Sequence, residues 1–398
     1  MSLASNPLTP PELNGNPKSR RRANNHSQVP VPSGARQHYG IVPEDSFKWI
    51  LALEQKRTER SRRRFLLMLL EGEELLQTGR QQKALQDLLS SLSTSVRETD
   101  VTGWFRENSV VGVIFTEVDL SETATFQKAI LERVSTALRQ NLSLEQVNTI
   151  KISLHVLPDE WDEEDLGPPA RLDLYPDLEE QKVSRRFALR LKRIFDIAVS
   201  LIALLLLSPL FVLIAALIKL TSKGPVFFRQ TRVGQFGERF TFLKFRTMHV
   251  SNNTSTHKDY VRRFISGKTH LNKCGDGQSS IYKLIDDPRV TRAGRFLRRS
   301  SLDELPQLLN VLKGEMSLVG PRPPLPYEFV VYEFWHRRRV LEAKPGITGL
   351  WQVNGRSTTT FDEMVRLDLH YARSWSLWLD LQILLKTPRA VFSCEGAY

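Results

Sequence analysis

The window Arg298-Arg-Ser-Ser-Leu-Asp-Glu-Leu-Pro-Gln-Leu-Leu-Asn310 sets two adjacent carboxylates, Asp303 and Glu304, behind a pair of arginines and ahead of an apolar helical repeat. Pro306 has no amide proton and is tolerated only in the first turn of a helix. The two acids therefore fall at or just before the start of a helix that continues through Leu308, Leu309 and Leu312. Such an end favours negative charge and also binds phosphate oxygens. Two chemistries fit. Ser301 and Glu304 stand at the spacing of a capping box, which makes Asp303 an ordinary first-turn acid. Alternatively the pair supplies an anionic nucleophile and a ligand for Mg²⁺, which takes one or two carboxylates while substrate phosphates complete its shell. The window alone leaves these readings evenly balanced.

The charge of the whole chain bears on that choice. Its 398 residues hold 56 Lys and Arg against 44 Asp and Glu, a net of +12. The excess is one-sided: residues 1–183 carry 22 basic and 27 acidic side chains, whereas residues 184–398 carry 34 and 17. In the basic half, Arg and Lys recur beside Gly and Pro, the composition of a site for anionic phosphates. A hydrophobic fraction of 41% with 25% charged residues argues against wholesale disorder, collagen and a multi-span transporter. Only Cys274 and Cys394 occur, which excludes a disulfide framework and a cysteine-built zinc site, and suits a reducing cytoplasm. The eight histidines show no metal-ligand spacing.

These residues need elements to hold them. Residues 1–44, rich in Pro, Asn and Ser and carrying the basic run Lys18 and Arg20 to Arg22, read as a disordered arm without the apolar core of a signal peptide. Over 45–158 a helix is followed by the apolar run Phe65 to Leu70, a helix over Gln81 to Val96, and strands over Val101 to Arg106 and Val110 to Phe115. A helix from Ser121 to Gln140 and a strand from Thr149 to Leu157 complete the segment. Strand, helix, strand, strand, helix, strand is the order of a ferredoxin-like sandwich. Residues 159–183, dominated by acids and broken by Gly167-Pro168-Pro169 and Pro176, read as an acidic linker.

With Arg97-Glu-Thr-Asp100-Val-Thr-Gly103 ahead of its hairpin, the 45–158 segment resembles the palm domain of diguanylate and related nucleotide cyclases. Where that family has a Gly-Gly-acidic hairpin this chain has Glu107-Asn-Ser-Val-Val-Gly112. A regulatory or dimerising module, open to homodimer formation, is therefore expected rather than a cyclase.

Ile197 to Ile218 is a 22-residue run without a charge. At ~1.5 Å per residue it could just cross a ~30 Å hydrocarbon core. Ser208-Pro209 lies near its middle, where proline disrupts a helix. Arg and Lys flank both sides, so the inside-positive bias of a spanning helix is missing. A re-entrant helix-break-helix over residues 194–220, with both ends cytoplasmic, explains these features better than a single span or a buried core helix. Phe329 to Trp335 and Trp375 to Leu384, each beside basic residues, suit a headgroup layer or an ordinary core.

The landmarks of residues 184–398 settle the balance left open above. They read Lys192-Arg193-Ile-Phe-Asp196, Ser208-Pro209, Pro225-Val-Phe-Phe-Arg-Gln-Thr-Arg-Val-Gly234 and Phe242-Leu-Lys-Phe-Arg-Thr-Met248. Then follow Asp287-Pro-Arg-Val-Thr-Arg292, the Ser301 to Gln307 window, Lys313-Gly-Glu-Met-Ser-Leu-Val-Gly-Pro-Arg-Pro323 and Pro345-Gly-Ile-Thr-Gly-Leu-Trp-Gln-Val-Asn-Gly-Arg356. In this order they resemble the bacterial sugar transferases, the monotopic phosphoglycosyl transferases. The resemblance implies a mainly helical membrane-associated domain behind the α/β sandwich, an α+β chain overall, held on the cytoplasmic face of the inner membrane among anionic lipids. It implies transfer of a sugar 1-phosphate from a UDP-sugar to a polyprenyl (undecaprenyl) phosphate with loss of UMP, at the start of exopolysaccharide, O-antigen or glycoconjugate synthesis. Asp303 matches the nucleophile, and Glu304 the Mg²⁺ ligand. Lys244, Arg246, Arg298, Arg322 and Arg356 fall on basic motif positions and are candidates for phosphate contacts. Lys192, Arg193 and Asp196 either receive the lipid phosphate or orient the membrane segment. A membrane-tethered cyclic-dinucleotide sensor with an inactive transferase half is the rival reading and would require broken motifs. Nucleic-acid binding is not expected beside such a membrane segment.

Overall fold

The computed structural model describes residues 41–61, 63–72, 81–116, 123–158, 169–249, 265, 289–354 and 359–392. The arm expected over residues 1–44 is described only from Ile41 onward, and Glu44 already opens a helix.

That helix, α1 (Glu44–Ser61), has Glu44 and Asp45 in its first turn and Arg60 in its last, matching the helix dipole at both ends. Phe47, Leu51, Gln55 and Thr58 recur on one face and are buried. Next come β1 (Phe65–Glu71), α2 (Gln81–Ser93), β2 (Val101–Arg106), β3 (Val110–Phe115), α3 (Thr123–Asn141) and β4 (Lys151–Leu157), all close to the expected ranges. Between α3 and β4 lies a helix the apolar pattern does not announce, α4 (Leu144–Thr149). A complete Ser143/Gln146 capping box starts it, and it buries none of its residues.

The strands form one antiparallel sheet in the order β2-β3-β1-β4, the ferredoxin-like order. Every residue from Phe65 to Leu70 is buried because both faces of β1 are covered. Leu66, Met68 and Leu70 face the α2/α3 layer, with Val134 and Leu138. Phe65, Leu67 and Leu69 face α1 and the second half of the chain. The Phe47 ring lies flat over the cross-strand pair Gly103 and Gly112; a Cβ on Gly103 would stand 2.4 Å from that ring. Glycine is required there by close approach.

Residues 170–183, expected as linker, are packed structure. A short turn, Leu172–Leu174, leads into α5 (Pro176–Ser184), and Leu174, Tyr175 and Leu178 are buried. The pattern of acids hid this because Asp177 faces a protein cation, Arg338, rather than water. The remainder of the expected linker, residues 159–168, lies outside the described residues.

The hydrophobic segment belongs to α6 (Arg186–Thr221), among the described residues the one helix long and apolar enough to cross a membrane. At ~1.5 Å per residue it is about 54 Å long. The break expected at Ser208-Pro209 does not occur: helix continues through it, with Pro209 inside. The reason is local. Pro209 cannot donate to the carbonyl of Leu205, and the hydroxyl of Ser208 donates to that oxygen instead at 2.8 Å. One face of α6 is buried on both sides of the proline, at Asp196 and Ser200 before it and at Ile214 and Ile218 after it. The opposite face leaves Leu205, Leu206, Val212 and Leu213 more than 60% exposed.

The remaining elements are the hairpin β5 (Phe227–Val233) and β6 (Arg239–Phe245), α7 (Arg292–Arg299), a 3₁₀ turn over Leu302–Glu304 and α8 (Gln307–Lys313). They continue with β7 (Ser317–Val319), α9 (Pro326–Val330), α10 (Phe334–Glu342), β8 (Gly346–Thr348), α11 (Leu350–Asn354), α12 (Phe361–Ser374) and α13 (Leu377–Phe392). Strands β7 and β8 pair in parallel. Of the two stretches read as headgroup layer or core, the first is core at Phe329 and Tyr332. On α13, Leu377, Trp378, Leu381 and Leu385 share an exposed face while Asp380 and Ile383 turn inward.

Phe329, Val340, Phe361 and Val365 share a core with Phe47, Leu67 and Leu69, so residues from Ile41 onward form one compact unit. Its polar centre is Arg338 on α10. This buried guanidinium pairs with Glu59 of α1 at 2.8 Å, Glu342 at 3.0 Å, and Asp177 of α5. Three carboxylates around one cation hold its proton more tightly than in water, despite burial.

Candidate active site

Asp303 and Glu304 sit in the 3₁₀ turn between α7 and α8. The capping-box reading fails: Ser301 adopts a left-handed backbone (φ 55°) and its side chain caps nothing. Pro306 is the N-cap of α8, so both acids precede the helix, as the proline argument requires. Asp303 is 7% exposed. Lys244 on β6 donates from Nζ to Glu304 Oε1 at 2.6 Å, and the same nitrogen lies 3.9 Å from Asp303 Oδ2. The ammonium is also 5.4 Å from the centre of the Phe242 ring. One cation thus stands between two adjacent carboxylates in a half-enclosed site.

Asn310 sets that geometry. Fully buried, it accepts from the Leu243 amide at 3.1 Å and donates to the Thr241 carbonyl at 2.7 Å and to Glu315 at 2.6 Å. Through these bonds α8 is locked in register with the strand that carries Lys244. The sequence signal was a lone amide in the apolar run Leu308-Leu-Asn-Val-Leu312, a position where burial demands polar partners.

The other candidates separate. Arg298 on α7 donates from Nε to Thr247 Oγ1 at 3.0 Å, beside the end of β6. Arg246 is turned elsewhere, onto the carbonyls of Ser222 and Lys223 and the Ser222 hydroxyl at 2.8–3.0 Å, where it caps the C-terminal end of α6. Arg322 is half-buried, and its carbonyl accepts from buried Arg339 at 2.6 Å. Arg356 lies outside the described residues. Lys192, Arg193 and Asp196 tie α6 to the body. Lys192 reaches Asp380 at 2.5 Å and Arg193 reaches the carbonyls of Val311 and Leu312; Asp196 accepts from the Leu318 amide. Asp380 also accepts from Tyr371 and Trp375. Burial and the neighbouring Asp380 carboxylate push the Tyr371 hydroxyl well above its usual pKa.

The glycine-rich motifs are close crossings of backbone. A Cβ on Gly320 would meet the Lys344 carbonyl at 2.2 Å, and one on Gly346 would meet the Gly320 amide at 2.0 Å. At this crossing, just ahead of Arg322, the two backbones leave no room for a Cβ on Gly320 or Gly346. Gly294 plays the same part in α7: Thr291 caps its amide, and a Cβ would stand 2.1 Å from the Thr247 carbonyl oxygen. Gly294→Ala is expected to lever α7 away from Thr247 and to cost about 1–3 kcal/mol of stability. A thermal unfolding midpoint equal to wild type would refute that expectation.

Residues 187–394 match the bacterial sugar transferase family. The chain belongs to that family. Among relatives of this bacterial sugar transferase, the exopolysaccharide production protein ExoY of Sinorhizobium fredii is 41% identical over 211 residues, spanning 52% of this chain and 88% of ExoY. The UDP-glucose:undecaprenyl-phosphate glucose-1-phosphate transferase of Caulobacter vibrioides is 40% identical over 218 residues, 52% of this chain and 72% of that enzyme. A GGDEF domain of the Pseudomonas aeruginosa protein PA1120 aligns with 31% of this chain and 74% of its own, at 10% identity and a TM-score of 0.25. So slight a likeness carries no argument about the sandwich of this transferase.

Proposed function

We propose that this sugar transferase moves a sugar 1-phosphate from a UDP-sugar to a polyprenyl phosphate, releasing UMP, in the synthesis of an exopolysaccharide or related glycoconjugate. The observation that carries this reading is the buried Asp303 beside Glu304 on one lysine, inside the segment that matches the family.

In this reading an Asp303 carboxylate oxygen attacks the sugar-linked phosphorus. A new O–P bond forms, the bridge to the α-phosphate breaks, and its electron pair leaves with UMP. The phosphate of the polyprenyl carrier then attacks the same phosphorus, giving the polyprenyl diphosphosugar and regenerating the carboxylate. Lys244 offsets charge in both steps without supplying a proton. Arg298 and Arg322 are proposed to hold the diphosphate, and Arg356 by its motif position. Arg246 supports the end of the membrane helix.

The residues present fit Mg²⁺, since it needs only one or two carboxylates when phosphates complete its shell. Glu304, whose side chain is 30% exposed, would hold it, with Lys244 yielding that oxygen. When bound, the metal would neutralise charge on the diphosphate.

We place the enzyme on the cytoplasmic face of the inner membrane, with unbroken α6 lying along that face, its exposed Leu205, Leu206, Val212 and Leu213 toward lipid, so that both ends stay on one side. Burial of one α6 face against the body on either side of Pro209 supports this placement, as does the apolar face of α13. Membranes charged with polyprenyl phosphate and containing the full chain are expected to release UMP from at least one UDP-sugar in a panel. Absence of UMP release across the panel would overturn the reading.

A further inference from the structure

A cavity of about 560 Å³ lies where α5, the first turns of α6 and the Lys344 segment meet. It is separate from the reacting carboxylates. Arg193, in its lining, holds the C-terminal end of α8, whereas Asp303 and Glu304 precede the N-terminal end; seven helical residues put ~10 Å between them.

Seven basic side chains line the cavity against three acidic ones. Two of the acids are engaged elsewhere, Glu342 by Arg338 and Asp196 by the Leu318 amide. Lys182, Arg186 and Arg190 have no hydrogen-bond or ion-pair partner among the described residues; Lys182 meets only the Phe236 ring, 3.9 Å from its centre. Lys344 donates to the Gly314 carbonyl, a neutral partner. Burial, then the Lys344 charge, pulls the Lys182 pKa down, and burial followed by Arg193 does the same to Lys344. Asp196 and Glu238 offset part of the charge on Lys344, and Glu179 is the remaining acid of the lining; the other cations still outnumber these carboxylates, in a recess where an anion would relieve them. Leu189, Val319, Leu341 and Trp375 supply an apolar wall. On the same turns of α6, Phe187 and Ile194 stay exposed.

We infer that this cavity is a second anion site of the protein, taking a phosphate-bearing ligand between α5 and the base of the membrane helix. Such a ligand would tie the segment entering the membrane helix to the body. Its phosphate comes either from a lipid headgroup or from a soluble phosphate ester, and the two sources are separable.

Full-length protein in phosphatidylcholine nanodiscs is titrated with inorganic pyrophosphate, comparing wild type with K182Q/R186Q. A control, K219Q/K223Q, removes the same charge at the other end of α6. All four positions lie at the surface or half-buried, and the unliganded melting point of each variant verifies folding. Loss of charge-assisted contacts predicts an affinity lower by about 10-fold in K182Q/R186Q and by less than about 2-fold in the control. A second pair, R186Q/R190Q, should behave as the first. Equal losses in all three variants would show diffuse surface charge, and no loss in any would show no site; either result overturns the proposal. Repeating the titration with phosphatidylglycerol in the discs separates the sources: competition against pyrophosphate in wild type assigns the site to a lipid headgroup, and undiminished binding assigns it to a soluble phosphate. Neither readout requires transferase activity, so failure here is distinct from failure of the proposed reaction.

Discussion

Asp303→Ala and Asp303→Asn are each expected to lower UMP release by about 10³-fold or more, and to abolish any protein-bound phosphosugar. Asp303 is the less exposed of the two carboxylates, and asparagine keeps its shape while removing the anionic oxygen that must bond to phosphorus. The fold should survive both changes. Lys244 retains Glu304 at 2.6 Å, and the register of α8 on β6 depends on Asn310 rather than on the acids. Glu304→Gln is expected to lose activity as well, but in a way that excess Mg²⁺ partly restores, because it weakens metal retention and leaves the nucleophile in place. Labelling with a UDP-sugar radioactive in the β-phosphate, followed by denaturing separation, reads the bound phosphosugar directly. Normal turnover in either Asp303 variant would refute its role as nucleophile.

The second large effect is on stability. Arg338→Ala should destabilise the protein by about 3–5 kcal/mol, because truncation strands carboxylates in a buried setting that now lacks its cation. Glu59, Asp177 and Glu342 come from α1, α5 and α10, so the loss falls on the seam between the sandwich and the transferase half. Arg373 also reaches Glu342, at 3.4 Å, but it is largely exposed and cannot replace the lost pairings. A fall in the thermal midpoint on the order of 10 °C is expected. Adding Glu59→Gln and Asp177→Asn to Arg338→Ala should recover part of that loss, since two stranded charges are then neutral. An unchanged midpoint in the single variant would mean that the cluster is solvated.

Much of the site was legible because its constraints are local. Pro306 confines the start of α8 and so places Asp303 and Glu304 just before it, whatever surrounds them. The alternation and turn residues of 45–158 marked the strands within a residue or two, since burial on a pleated sheet imposes a period of two. Leu144–Thr149 escaped notice because none of its residues is fully buried and Val147 alone packs against the core, so its cap was its main signal. Arg246 was grouped with the phosphate-binding candidates on motif position. A guanidinium has the same five donors for a phosphate as for a helix end, and only its surroundings distinguish the two.

Sequence by itself determined the strands of the sandwich, the paired carboxylates ahead of their helix and the family, since each rests on residue type at short spacing, whereas the placing of Lys244 on those carboxylates came only with the fold. Tertiary structure decided what those residues face. It kept α6 continuous, through a hydroxyl that replaces the hydrogen bond proline removes. It turned residues 170–183 from an apparent acidic linker into a packed element by setting Asp177 against Arg338. It also gathered Lys182, Arg186 and Lys344 around one cavity. Contacts across more than a hundred residues depend on how whole faces pack, and burial can reverse the meaning of a charge that local pattern assigns to water.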